Sequence, residues 1–344
     1  MDPAMNIQKR ATTLKRIKFS KIWLIIIFLT LTMIPTSSVK AESTEHYALL
    51  IGISDYQPAG PGGPDLNYAD DDANDLYQTL ITEHNWKQEN IIKLTDSQAT
   101  KSEIQNSLNN LAAKESSNDL FLFYFAGHGS YTPDQPPIDE ADGFDEYILT
   151  HDQEKILDDE LVNMLEILDA KKIVVIIDAC FSGGFFKGSD MQARTVPGPE
   201  PRELIDTLNG DLAKQGYIVL SASDDDEICA ESAILQNGVF TFYLVEGMSK
   251  TNSFPADLDN DDKVSAEEAY TYAAPKATNF NPNQHAQIWD AIPGEAELTI
   301  LPRIIIGGVL MPSNKSRIFK FYSVLVTICG ILTIAFYKCR RILK

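Results

Sequence analysis

Two stretches of this chain, "DLFLFYFAGHGS" (Asp119 to Ser130) and "KKIVVIIDACFSGG" (Lys171 to Gly184), run apolar without interruption and then stop at a cluster of reactive and small residues. A strand with one wet face alternates apolar and polar residues. One that is apolar throughout has to be covered on both faces, the position of an interior strand in a mostly parallel sheet. "YALLIGI" (Tyr47 to Ile53), "NIIKLT" around Ile91 and "GYIVLSAS" (Gly216 to Ser223) repeat the pattern. Between them lie amphipathic stretches: "LNYADDDANDLYQTLITEH", "SEIQNSLNNLAAKE", "LDDELVNMLEILDA" and "ELIDTLNGDLAKQ". The alternation predicts an α/β fold, a mostly parallel sheet flanked by helices on both faces. Functional residues of such sheets gather beyond the carboxyl ends of the strands. His128, Asp178 with Cys180, and "SASDDDE" (Ser221 to Glu227) all fall there.

The two ends have a different character. Six Lys or Arg between Lys9 and Lys21 precede the apolar run Ile22 to Ile34 and a small-residue pattern ending at Ala41, the order of a secretory signal peptide over 1–41 or, if uncleaved, of an anchor. Residues 42–302 form the expected main domain and 303–320 a juxtamembrane segment. The uncharged stretch 321–337 reads as a transmembrane helix and the basic 338–344 as a cytoplasmic tail. The body would therefore face outward on a single-pass membrane protein. The two ends hold 14 of the 29 basic residues and one of the 49 acidic ones, which leaves 42–312 with 15 basic and 48 acidic residues and a net charge of −33. Such a field disfavours nucleic acid and favours divalent cations and basic peptides.

Only Cys180 and Cys229 belong to the exported body, too few for a disulfide framework, although the two could pair. Cys180 is delivered by a buried strand to a Gly/Ser turn, the setting of a partly exposed thiolate nucleophile that needs an imidazole to take its proton. Of the five histidines, only His128 stands at a strand end; its flanking glycines would let a substrate approach closely. One His and one Cys without a second ligand pair fall short of zinc spacing.

"YFAGHGS" and "IDACFSGG", with "ADGFDEYILTHD" and "LDDELVNML" between them and "ALLIGISDY" and "LNYADDDANDL" before them, resemble the catalytic half of the metacaspases and related prokaryotic caspase-like peptidases. The resemblance runs from about Tyr47 to Gly247. It implies a caspase-hemoglobinase fold and cysteine endopeptidase activity, with His128 as general base and acid and Cys180 as nucleophile. Their offset of 52 positions matches the caspase offset of about 50. It also implies an oxyanion hole from the amides of Gly129 and Cys180. Metacaspases commonly have His after the catalytic Cys, where this chain has Phe181.

Asp178 stands two residues before Cys180, on the same side of an extended strand. By resemblance, Asp225 falls where metacaspases have a second pocket aspartate. Two such carboxylates predict substrate peptides with Arg or Lys before the scissile bond. Lys187, Arg194 and Arg202, in or beside the Gly/Pro-rich stretch Phe185 to Pro201, are then candidate self-processing positions. "DLDNDDKVSAEE" (257–268) has EF-hand spacing for Ca2+: Asp257, Asp259 and Asp261, the Lys263 carbonyl, and Glu268 at position 12, with Asp262 where glycine is preferred. Asp139, Glu140, Asp142 and Asp145 form a second candidate group, since metacaspases can bind calcium near the active site. Two other readings keep parts of this picture: a transpeptidase of the legumain or GPI-transamidase type using the same dyad, and an inactive calcium-binding surface protein.

Overall fold

The computed structural model describes most of the chain between Thr44 and Met311; residues 1–43, 57–64, 83–85, 134, 137, 139–143, 180–190, 194–215, 224–226, 228, 250–251, 301–303, 307–308 and 312–344 lie outside the described residues. Both apolar terminal segments, His84, Cys180, Asp225, Lys187, Arg194 and Arg202 fall among these. Among the described residues no helix is long and apolar enough to cross a membrane.

The apolar runs become strands β1 (His46–Gly52), β2 (Ile91–Thr95) and β3 (Leu120–Ala126). A small hairpin sheet follows, β4 (Gly129–Pro133), β5 (Phe144–Leu149) and β6 (Lys155–Leu157). Then come β7 (Lys172–Asp178), β8 (Met191–Ala193), β9 (Tyr217–Ser221), β10 (Ala230–Ser232), β11 (Asn237–Gly238), β12 (Lys263–Ser265), β13 (Gln287–Asp290) and β14 (Glu297–Ile300). The helices are α1 (Ala69–Thr82), α2 (Lys101–Ala112), α3 (Asp158–Leu165), α4 (Val239–Met248) and α5 (Ala266–Phe280).

The main sheet has the order β13-β9-β7-β3-β1-β2, parallel except for β13, which runs antiparallel to β9. Phe121, Leu122, Phe123, Tyr124 and Phe125 of β3 and Val174 to Ile177 of β7 have no exposed surface, as two-sided apolarity requires. Each large side chain so buried contributes roughly 1.5–3 kcal/mol. The chain steps from β1 to β2 in one direction and from β2 to β3 in the other. Right-handed crossovers therefore place α1 and α2 on opposite faces, and the order reverses between β1 and β3. α4 packs on α1 and α5, whereas α3 packs on α2. The Gly/Pro-rich stretch Phe185 to Pro201 contains β8, which pairs antiparallel with β10, Ala193 opposite Ala230.

Gly52 ends β1 where α1 begins to cross it: a Cβ there would collide with the Ala69 carbonyl oxygen and meet the Asp70 Cα at 2.9 Å. Both are backbone atoms that cannot swing aside. Gly52→Ala is therefore expected to lose roughly 1–3 kcal/mol of stability by overpacking. A urea midpoint equal to that of the unmodified protein would show that α1 has room to move.

Candidate functional site

β3 and β7 are neighbours in the sheet, paired in register from Leu120 with Lys172 to Ala126 with Asp178. Both chains leave the sheet at one level, and the Gly127 N–H still donates to the Asp178 carbonyl at 3.3 Å. His128 stands two residues beyond its last paired position. Cys180 stands two residues of sequence beyond Asp178 and itself lies outside the described residues.

His128 is fully buried. Its backbone N–H donates to the Tyr56 hydroxyl at 2.7 Å, and its ring lies 4.6 Å from the Tyr56 ring, tilted by 40°. The Leu149 N–H donates to its carbonyl at 2.9 Å. Since Gly129 is paired with Ile148, the neighbouring antiparallel position, alternation in the ladder turns the Gly129 N–H away from β5. Gly127 has a packing reason of its own. A Cβ at that position would come within 2.6 Å of the Tyr56 hydroxyl and 2.8 Å of the Phe125 ring, so the missing side chain makes room for the tyrosine.

The other described histidines are engaged elsewhere. His46, at the start of β1, holds the Glu297 carbonyl at 3.0 Å through Nε2, and burial lowers its pKa, against the opposing pull of that carbonyl and the Glu297 charge. His151 Nδ1 bonds the Asp55 carbonyl at 2.6 Å, and exposed His285 pairs with Glu227.

Asp178 is also fully buried. Its Oδ2 accepts from the Thr241 hydroxyl at 2.6 Å and the Thr241 N–H at 3.2 Å, and its Oδ1 from the Cys229 thiol at 3.4 Å. Thr241 belongs to the first turn of α4, whose preceding Gly238 N–H donates to Asp72 Oδ1 at 2.8 Å. One helix N-terminus thus faces two buried aspartates, a favourable arrangement for acceptor groups. The Thr241 oxygen is shared with the Tyr124 hydroxyl at 2.7 Å, which makes a polar chain from β3 to β7 through α4. Cys229 is buried, and Cys180, with which it could pair, lies outside the described residues. Tyr56, Thr241, Cys229 and Asp72 are partners that no local motif announces.

In the 257–268 loop, Asp257, Asp259 and Asp261 each bring a carboxylate oxygen within 4.8 Å of the other two. Asp262 adopts φ +73°, the left-handed conformation its glycine-preferring position demands. Glu268 folds back over the loop, Oε1 accepting from the Leu258 and Asp259 N–H groups at 2.8 and 3.2 Å and Oε2 from the Ser265 N–H at 3.1 Å. The Lys263 ammonium pairs with Glu297 and lies 3.8 Å from Asp261. Glu295 nearby has its pKa raised, by burial first and then by Glu268, Asp259 and Asp261. Of the second acidic group only Asp145 is described: it is buried and accepts the Gln135 N–H at 2.9 Å. Beside it Asp158 is pushed up to about 6, by burial first, with the Asp145 charge adding to the shift.

Comparison with known proteins adds family evidence to this geometry. The Caspase domain family, Peptidase C14, matches residues 45–271. Metacaspase-4 of Arabidopsis thaliana is 27% identical over 231 residues, 65% of this chain and 49% of the relative. Metacaspase-1 of Candida albicans is 27% identical over 273 residues, 69% of this chain and 58% of the relative. The chain thus spans about half the length of these curated relatives. A Geobacter sulfurreducens protein of known crystal structure superposes with a TM-score of 0.54 at 20% identity, covering 75% of this chain and all of that one, a likeness of fold.

Replacing Thr241 by Val keeps the shape of the side chain and removes the hydroxyl shared by Asp178 and Tyr124. The variant should lose roughly 1–3 kcal/mol, the usual cost of stranding a buried polar group, while Thr241→Ser stays close to the unmodified protein. Equal denaturation midpoints for Val and Ser would remove Thr241 from the network.

Proposed function

The chain belongs to the caspase-domain family, and we propose that it is a cysteine endopeptidase in which His128 and Cys180 form the dyad. The observation that carries the reading is the register of β3 and β7, which brings the two strand ends level side by side. In the proposed cycle His128 takes the Cys180 thiol proton, and the thiolate adds to the scissile carbonyl. His128 then returns the proton to the leaving amine, and water releases the acyl group from sulfur, restoring the thiol. The outward-turned Gly129 N–H, with that of Cys180, would bind the oxyanion. The legumain-like alternative differs only in an amine replacing water, and no feature of the described residues favours it.

For specificity we propose cleavage after Arg or Lys, with Asp178 and Asp225 as the recognising carboxylates. Support comes from the acidity of 42–312 and from the place of Asp178 at the carboxyl end of β7, two residues before Cys180. For calcium, we propose Asp257, Asp259, Asp261, the Lys263 carbonyl and Glu268 as ligands. Three converging carboxylates and the left-handed Asp262 support this assignment. Residues 1–41 and 321–337 support a single-pass, outward-facing location on composition alone, and the Lys and Arg residues of 185–202 support self-processing in the same way.

Purified protein should cleave reporter peptides ending in Arg or Lys and ignore those ending in Asp, with activity abolished in Cys180→Ala and His128→Ala. Preference for Asp-ended reporters would sink the specificity, and an active Cys180→Ala form would sink the dyad. Calcium at a hundredfold excess over its Kd should stabilise the protein by about 2.7 kcal/mol, and Asp259→Asn should remove most of that gain. Melting temperatures that ignore calcium at neutral pH would refute the site.

A further inference from the structure

We propose that Tyr56 is a positioning residue for His128, holding its backbone by the hydroxyl and its imidazole by the ring face; this rests on the reading of His128 as the catalytic base. The two residues come from different strands. Tyr56 follows β1 and His128 follows β3, so they meet across the gap where the strand order reverses, the place at which open α/β sheets build their sites.

The tyrosine hangs from a fixed turn. Ile53 N–H donates to the Ala126 carbonyl at 3.0 Å, tying the end of β1 to the end of β3. Ser54 and Asp55 N–H groups both donate to Asp96 Oδ1 at 2.9 Å, and the Tyr56 N–H donates to Asp65 Oδ1 at 3.1 Å. The Asp55 carbonyl is held in turn by His151. Tyr56 is only 2% exposed, so its ring has little freedom to rotate away.

From that turn the side chain reaches His128 in two ways. Its hydroxyl accepts the His128 N–H at 2.7 Å, which fixes the peptide plane from which the imidazole departs. Its ring lies 4.6 Å from the imidazole, limiting rotation of the ring that has to serve first as base and then as acid. Gly127 completes the arrangement, since any side chain there would occupy the hydroxyl's place. A base displaced by a fraction of an ångström loses its line to the thiol proton, and rate is more sensitive to that alignment than stability is.

The test uses three forms of the full-length protein beside the unmodified one: Tyr56→Phe, Tyr56→Leu and His128→Ala. Tyr56→Phe keeps the ring and should lower kcat about tenfold, the rate equivalent of one neutral hydrogen bond, with KM changed less than twofold. Tyr56→Leu should lower kcat about 100-fold, again with little change in KM. The imidazole proton resonances of His128, identified by their absence from His128→Ala, should keep their shifts in Tyr56→Phe and move in Tyr56→Leu. Full kcat in Tyr56→Phe together with a Tyr56→Leu loss no larger than its unfolded fraction would reduce Tyr56 to a packing residue and overturn the proposal. If His128→Ala retains full Cys180-dependent hydrolysis, the dyad reading fails and takes the positioning role with it. The resonance shifts separate that case, because they would still report the ring contact.

Discussion

Seven residue pairs, from Leu120 with Lys172 to Ala126 with Asp178, fix β3 against β7, and the arrangement of the candidate site follows from that register. A slip of one residue would turn every side chain of one strand to the other face. In a strand apolar on both sides that slip does not expose a charge, so the apolar pattern alone cannot forbid it. The polar residues at the carboxyl edge supply the missing specificity. Asp178 reaches Thr241 and Cys229, Gly127 reaches the Asp178 carbonyl, and Tyr124 reaches Thr241, each bond being available in one register only.

The same edge shows how a strongly acidic chain buries acids. Asp72 and Asp178 have no exposed surface, and their partners include backbone N–H groups, a hydroxyl and a thiol. The amides at the start of α4 aim donors at both carboxyls. A helix terminus cannot move away as a lysine side chain can, which gives the acids a fixed aim. Asp158 represents the opposite case, a buried carboxyl next to Asp145 whose pKa rises to about 6 because burial outweighs its two backbone donors.

The fold class was legible because two-sided apolar runs are local signals and each carries its own consequence for packing. His128 was legible for the same reason, as the one histidine that follows such a run directly. Its surroundings were not. Tyr56 lies 72 residues from His128, Thr241 lies 63 from Asp178 and Cys229 lies 51 from Asp178; each meets its partner only after the sheet has formed. α4 escaped notice because it is apolar almost all round, "VFTFYLVEGM", with no amphipathic period to betray it. β8 was hidden inside a stretch whose Gly and Pro content reads as linker. Gly127 is visible in the sequence, but the tyrosine hydroxyl that needs its missing side chain is not.

The starts of β1 and β14 meet at the edge of the sheet opposite His128. His46 begins β1 there and bonds the Glu297 carbonyl of β14, while the Trp86 indole N–H donates to the Leu298 carbonyl at 2.5 Å. His46 and Leu298 thus lie at the floor of the domain, and the ends of β3 and β7 form its roof. The seven residues of β3, at about 3.3 Å each, set the two levels roughly 20 Å apart.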